Sequence, residues 1–110
     1  MDDSLRLQFG MAEVHFEQKR YREAAAILEV VVSEAPSNAS ARTLLARAYF
    51  HAAMLGRAEE QARELIERWP VDAYAHVILA RSLQRQSRHE EAVPYLRLAA
   101  ALTGDDDLLP

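Results

Sequence analysis

Apolar residues recur along the chain at intervals of three and four. Leu5, Phe9, Ala12 and Phe16 keep this spacing, then Ala24, Leu28, Val31 and Val32, then Leu44, Leu45 and Ala48, and later Leu65 and Ile66. Side chains three and four apart share one face of a helix, so the pattern reads as a series of amphipathic helices. No stretch of four or more residues reads as a strand between turns. The pattern breaks at Gln18-Lys19-Arg20, Ala35-Pro36-Ser37-Asn38, Met54-Leu55-Gly56-Arg57, Trp69-Pro70-Val71-Asp72 and Gln86-Ser87-Arg88. Proline disfavours helical geometry in the residue before it, which makes the breaks at Pro36 and Pro70 firm. Six helices are expected, over about 5–18, 21–35, 39–53, 56–69, 73–86 and 89–103. The short turns between them imply antiparallel pairs. Glu90 and Glu91 fall in the first turn of the sixth, where the helix dipole favours negative charge. Pro94 removes one of that helix's hydrogen bonds and is expected to bend it slightly.

A longer period underlies the helical one. Pro36 and Pro70 lie 34 residues apart. Ala12, Ala46 and Ala80 fall on the same beat, as do Ala24, Ala58 and Ala92, and Met11, Leu45 and Leu79. A fixed period of this length is the mark of a helical repeat whose units stack to bury a continuous core.

Composition narrows the function. Half of the 110 residues are apolar, which suits one folded domain over 1–110. Thirteen Lys and Arg against 17 Asp and Glu give a net charge of −4, with no basic footprint for nucleic acid. There is no cysteine, hence no disulfide framework or thiolate chemistry. The N-terminal Met1-Asp2-Asp3-Ser4 opens no signal peptide, and the apolar runs are too short to span a membrane, so a soluble cytoplasmic protein is expected. His15, His51, His76 and His89 never pair at the spacing that places two ligands on one helix face. Glu59-Glu60 and Glu90-Glu91 are sequence neighbours that point apart on a helix, and Asp105-Asp106-Asp107 reads as a solvated tail. No glycine-rich phosphate loop is present. The expectation is a protein that is not an enzyme and holds no cofactor or metal.

The residues on the 34-residue beat resemble the tetratricopeptide repeat family, in three repeats at about 5–38, 39–72 and 73–106 with a tail at 105–110. Met11-Ala12, His15, Tyr21, Ala24, Leu28 and Pro36 carry the first repeat. Leu45-Ala46, Tyr49, Leu55, Ala58, Leu65 and Pro70 carry the second, and Leu79-Ala80, Leu83, Ala92, Leu96 and Ala99 the third. Gln8, Arg42 and His76 stand where the family has tryptophan, Gly104 replaces the third proline, Ala62 replaces a large residue, and Gly56 lies three residues after the usual turn glycine.

The resemblance implies an all-α fold, a right-handed α-solenoid of three antiparallel helix pairs, whose first helices line a concave groove. That groove would be lined by Arg6, Phe9, Gly10, Glu13, Phe16 and Glu17, then Ser40, Thr43, Leu44, Arg47, Phe50 and His51, then Tyr74, Val77, Ile78, Arg81, Gln84 and Arg85. Exposed aromatics there imply a partner, and the charge is graded, acidic at Glu13 and Glu17 and basic at Arg47, Arg81 and Arg85. The expected partner is a protein or peptide with acidic residues beside apolar anchors. The competing reading makes the aromatics packing residues and the arginines partners of nearby glutamates. Phe9, Glu13, Leu44, Tyr74 and Ile78 occupy the positions with which one branch of the family clamps acidic chaperone tails, and none can act as such a clamp. The alternative function is a structural homo-oligomer. Leu96 and Ala99-Ala100 are expected to stay exposed at the end of the stack, open to the tail leucines or to a dimer partner.

Overall fold

The structure, a computed structural model, describes residues 1–110, whose regular elements are all helical, with no strand. The helices are α1 (Asp3–Glu17), α2 (Tyr21–Glu34), α3 (Ala39–His51), α4 (Leu55–Arg68), α5 (Ala73–Arg85) and α6 (His89–Thr103), followed by a 3-10 turn at Asp106–Leu108. Every boundary lies within two residues of the expected one. Each helix packs against the next in chain order, and the stack measures 41 × 24 × 19 Å. The arrangement is a helical solenoid of three hairpins.

The same local devices recur in each hairpin. Asp2, Asn38 and Asp72 cap α1, α3 and α5, their side chains accepting the backbone N–H of Leu5, Ala41 and Ala75 at 2.8, 3.0 and 3.2 Å. Such a cap satisfies an otherwise orphaned donor and contributes about 1 kcal/mol. The turn inside each hairpin closes through a left-handed residue, Lys19, Ala53 or Ser87, with φ of 62°, 60° and 63°. The residue after it donates back across the turn, Arg20 to the His15 carbonyl at 2.8 Å, Met54 to Tyr49 at 2.8 Å and Arg88 to Leu83 at 2.9 Å. This is the hydrogen bond that ends many helices, usually with glycine in the left-handed position.

Alanines set the helix separations. Ala12, Ala46, Ala80, Ala24, Ala58 and Ala92 have no accessible surface. Leu45 and Leu79 are buried too, but Met11, on the same beat, is half exposed. Helices α2 and α4 lie over α3 and α5, whereas α1 is the first element and has no such cover.

Arg42 and His76 are also buried, in the place of the missing tryptophans. Arg42 Nη2 donates to the Pro36 carbonyl at 3.1 Å, and His76 Nε2 to the Pro70 carbonyl at 2.9 Å. Each fastens its helix to the proline turn that precedes it. Burial, with Arg68 nearby, holds the Arg42 guanidinium below its usual range despite Glu64.

The C-terminal end corrects one expectation. Leu96, Ala99 and Ala100 are at most 5 % exposed. Helix α6 packs against α5, and the 3-10 turn folds back on it. Gly104, at φ 75°, reverses the chain, and the Thr103 hydroxyl donates to Ala99 and accepts from the Asp105 N–H. Leu98 and Leu102 are the exposed leucines of α6. Pro94 sits inside α6, which runs unbroken from His89 to Thr103.

Candidate functional site

The first helix of each hairpin contributes to one face. Between α3 and α5 lies a concavity of about 230 Å³, lined by Arg47, Phe50, His51, Tyr74, Val77, Ile78 and Arg81. Tyr74 is exposed on its rim and Ile78 is buried at its wall. A second concavity, about 410 Å³ and more open, lies between α1 and α3. Phe9, Glu13, Ala39, Ser40, Thr43, Leu44, Arg47 and Asp72 line it. Arg47 borders both. The first is basic and apolar, while the second brings two carboxylates, Glu13 and Asp72, to the same face.

The aromatics do double duty. Phe9, Phe16 and Phe50 are half-buried against the core of the first two hairpins, so packing accounts for part of their surface. Phe16, Tyr21, Phe50 and His51 form one cluster, with Tyr21 stacked on His51 at 4.8 Å and Phe16 edge-on to Tyr21 at 5.1 Å. Phe16 and Phe50 approach His51 at 5.7 and 5.6 Å. The open rings carry cations: Arg47 stands 4.7 Å over Phe16, and Arg85 5.0 Å over Phe50.

The groove arginines lack carboxylate partners. Arg81 donates to Gln84 at 2.8 Å and Arg85 to the Phe50 carbonyl at 3.2 Å. Arg47 Nε is buried with no hydrogen-bond partner. None of the three makes an ion pair, whereas Arg6, Arg57, Arg63, Arg68 and Arg88 all do. The contrast is sharpest at Glu59, which receives Arg88 at 2.7 Å, Arg63 at 3.0 Å and Gln86 at 3.1 Å. Burial pushes the Glu59 carboxyl up, but those three donors outweigh it and hold it below the usual range. The ring of His51 is shifted down by burial first, then by the charges of Arg47 and Arg85.

Seven of the expected groove residues therefore meet in the first concavity: Arg47, Phe50, His51, Tyr74, Val77, Ile78 and Arg81. Arg85 flanks it through Phe50, and Phe9, Glu13 and Thr43 line the second. Arg6 and Glu17 are exposed on α1 and border neither; Arg6 pairs with Asp3 at 3.7 Å. The sequence reading missed Tyr21 and Asp72 as neighbours of this face. Tyr21 opens α2 and Asp72 lies in a turn, so the first-helix rule passes over both. No group of three or more His, Cys, Asp or Glu side chains converges as metal ligands would, and no helix is long and apolar enough to cross a membrane.

A family model described as tetratricopeptide repeat matches residues 2–48 and 15–81. The chain belongs to the tetratricopeptide repeat family, a fold that supports protein-interaction modules in general. No curated protein matches it significantly. Among solved structures, a point mutant of MamA superposes with a TM-score of 0.86 at 23 % identity, covering 92 % of this chain and 74 % of that one. MamA 41-end from Desulfovibrio magneticus RS-1 gives 0.86 at 25 % identity, covering 96 % and 59 %. The Arabidopsis OM64 TPR domain gives 0.88 at 14 % identity, covering 96 % and 88 %. The chain thus spans about three fifths to three quarters of these MamA structures.

Proposed function

We propose that this protein is a non-catalytic adaptor that holds a peptide or an extended protein segment across the face formed by α1, α3 and α5. The observation that carries the reading is the group of three guanidinium groups, Arg47, Arg81 and Arg85, free of carboxylate partners around an apolar concavity. Guanidinium recognises carboxylate in a bidentate, directional way, and an aromatic-lined hollow supplies the anchor that dominates peptide affinity. The hollow is smaller than the roughly 300–1,000 Å³ usual for small-molecule sites, which favours seating one or two side chains over a cofactor. The ligand carries acidic residues next to large apolar ones at the α5 end, and tolerates a basic residue near Glu13 and Asp72. A cytoplasmic setting fits the cysteine-free composition.

The test is retention of partners on immobilised protein, wild type against Arg81→Glu with Arg85→Glu. A second control carries charge reversal on the far side of the solenoid, at Arg63. Loss of the retained partners in the groove variant alone supports the groove. Equal retention by all three removes it from the mechanism.

A further inference from the structure

The chemistry asked of the ligand is present in this chain. Residues 105–110 read Asp-Asp-Asp-Leu-Leu-Pro, three carboxylates followed directly by two large apolar side chains. Asp105, Asp106 and Asp107 are exposed, and none pairs with a Lys or Arg of its own molecule. Leu109 is 47 % exposed, and only Leu108 is half-buried. We infer that the 105–110 segment of one copy docks in the α3–α5 concavity of a second copy, with Leu109 in the apolar hollow and its aspartates on the groove arginines. The inference rests on the groove reading above and gives it a particular occupant.

The geometry matches. In an extended strand alternate side chains share a face and lie about 6.6 Å apart, which places Asp105, Asp107 and Leu109 on one side. Arg81 and Arg85 are one helical turn apart, about 6 Å along the axis. With Leu109 between Phe50, Tyr74, Val77 and Ile78, Asp107 faces Arg81, which rims that hollow, and Asp105 faces Arg85 beyond it. Extending the segment gives up the two backbone hydrogen bonds of the 3-10 turn, Leu108 to Asp105 at 3.2 Å and Leu109 to Asp106 at 3.0 Å, the Asp107 N–H bond to Asp105 Oδ1 at 3.0 Å and the turn's packing on α6, which the groove contacts must offset. In its own molecule the segment is turned onto α6 by Gly104 and the Thr103 hydroxyl, so the groove it meets belongs to a neighbour. Groove and segment lie at different places on the surface, so the contact joins copies either head to tail or by reciprocal exchange of the segment in a two-fold pair.

The experiment uses the full chain and two variants, one groove-defective (Arg81→Glu with Arg85→Glu), one segment-defective (Asp105→Asn, Asp107→Asn and Leu109→Ser). Sedimentation velocity across a concentration series is expected to show wild-type self-association, weakened at least tenfold in either variant alone. An equimolar mixture of the two retains one intact groove and one intact segment, so it is expected to form a discrete heterodimer and nothing larger. A labelled peptide of residues 103–110 should bind wild type and lose at least tenfold in affinity for the groove variant. Circular dichroism checks that both variants keep their helix content. A segment-defective variant that associates like wild type overturns the inference, as does a strictly monomeric wild type that ignores the peptide. An unrelated acidic–apolar peptide serves as the separating probe. If it binds the groove while the 103–110 peptide does not, the inference fails and the groove reading stands; if neither binds, both fail.

Discussion

The Arg47 guanidinium carbon lies 4.7 Å from the centre of the Phe16 ring and 5.9 Å from that of Tyr74. One cation on α3 therefore reaches an aromatic of α1 and an aromatic of α5, at the ridge between the two concavities. Stacking of this kind contributes about 0.5–1 kcal/mol where water still reaches the pair. Arg47→Ala is expected to lower unfolding free energy by about 1 kcal/mol in urea titration, and to weaken ligand binding by more than that. Arg47→Lys keeps the charge but loses the planar group, so it should recover stability only partly. Equal stability of Arg47→Ala and wild type would show that the ridge is not a structural contact.

Ala46 and Ala80 have no accessible surface, and each sits in the first helix of its hairpin where the repeats meet. Enlarging either forces neighbours off their rotamers, so Ala46→Leu and Ala80→Leu should each cost about 1–3 kcal/mol. Thermal unfolding of the two variants checks this. An unchanged midpoint in both would mean the helices are not held at alanine distance.

These alanines also show why so much of the fold was readable. Close helix approach demands a small residue once per repeat, so the demand appears as a column in the sequence. The proline breaks and the capping Asn38 and Asp72 are equally local. Arg42 and His76 were harder to read. Taken singly they look like failures to match a tryptophan, because the acceptors that justify them, the Pro36 and Pro70 carbonyls, lie six residues away in a turn. The burial of Leu96 was missed for a similar reason. It packs in a core cluster with Ala62, Leu65, Leu79 and Leu83, partners on other helices that its own spacing in α6 does not announce. In the groove, helix spacing located the side chains but could not say which arginines had found carboxylates.

Ala53 occupies a left-handed position at φ 60°, where a Cβ costs roughly 1–2 kcal/mol. Glycine would relieve that cost but would lose roughly 0.5–1 kcal/mol through its more flexible unfolded chain. Ala53→Gly should therefore stabilise the protein by up to about 1 kcal/mol, and Ala53→Val should destabilise it. Denaturant midpoints of the pair decide the matter, and a destabilised glycine variant would contradict the left-handed assignment.

Leu96 is 2 % exposed, so a charge there is buried and not presented to a partner. Leu96→Lys should cost about 3 kcal/mol or more, since it combines a lost core side chain with an unpaired buried ammonium. Circular dichroism melting is the measurement. A variant that melts like wild type while changing its association state would place Leu96 on a surface instead.

His51 carries the pH dependence of the groove. Its ring is crowded by Tyr21, Phe16 and Phe50, and that burial, with the nearby charges of Arg47 and Arg85, holds its pKa below the ordinary 6.5. A base whose pKa is depressed by folding is protonated first in the unfolded chain. Its contribution to stability is therefore full above pH 6.5 and declines as the pH falls below that value, until the folded ring also takes up its proton. An acidic ligand reverses the local field, because its carboxylates offset the two guanidinium charges that oppose protonation. Binding should then raise the His51 pKa and draw in a proton, so affinity increases as pH falls from 7 toward 6 while the stability of the free protein decreases. Isothermal titration in buffers of different ionisation enthalpy measures the proton uptake directly. His51→Gln should abolish it and flatten the affinity profile with helix content unchanged. Proton release on binding, or the same uptake in His51→Gln, would mean that acidic groups do not lodge beside Arg47 and Arg85.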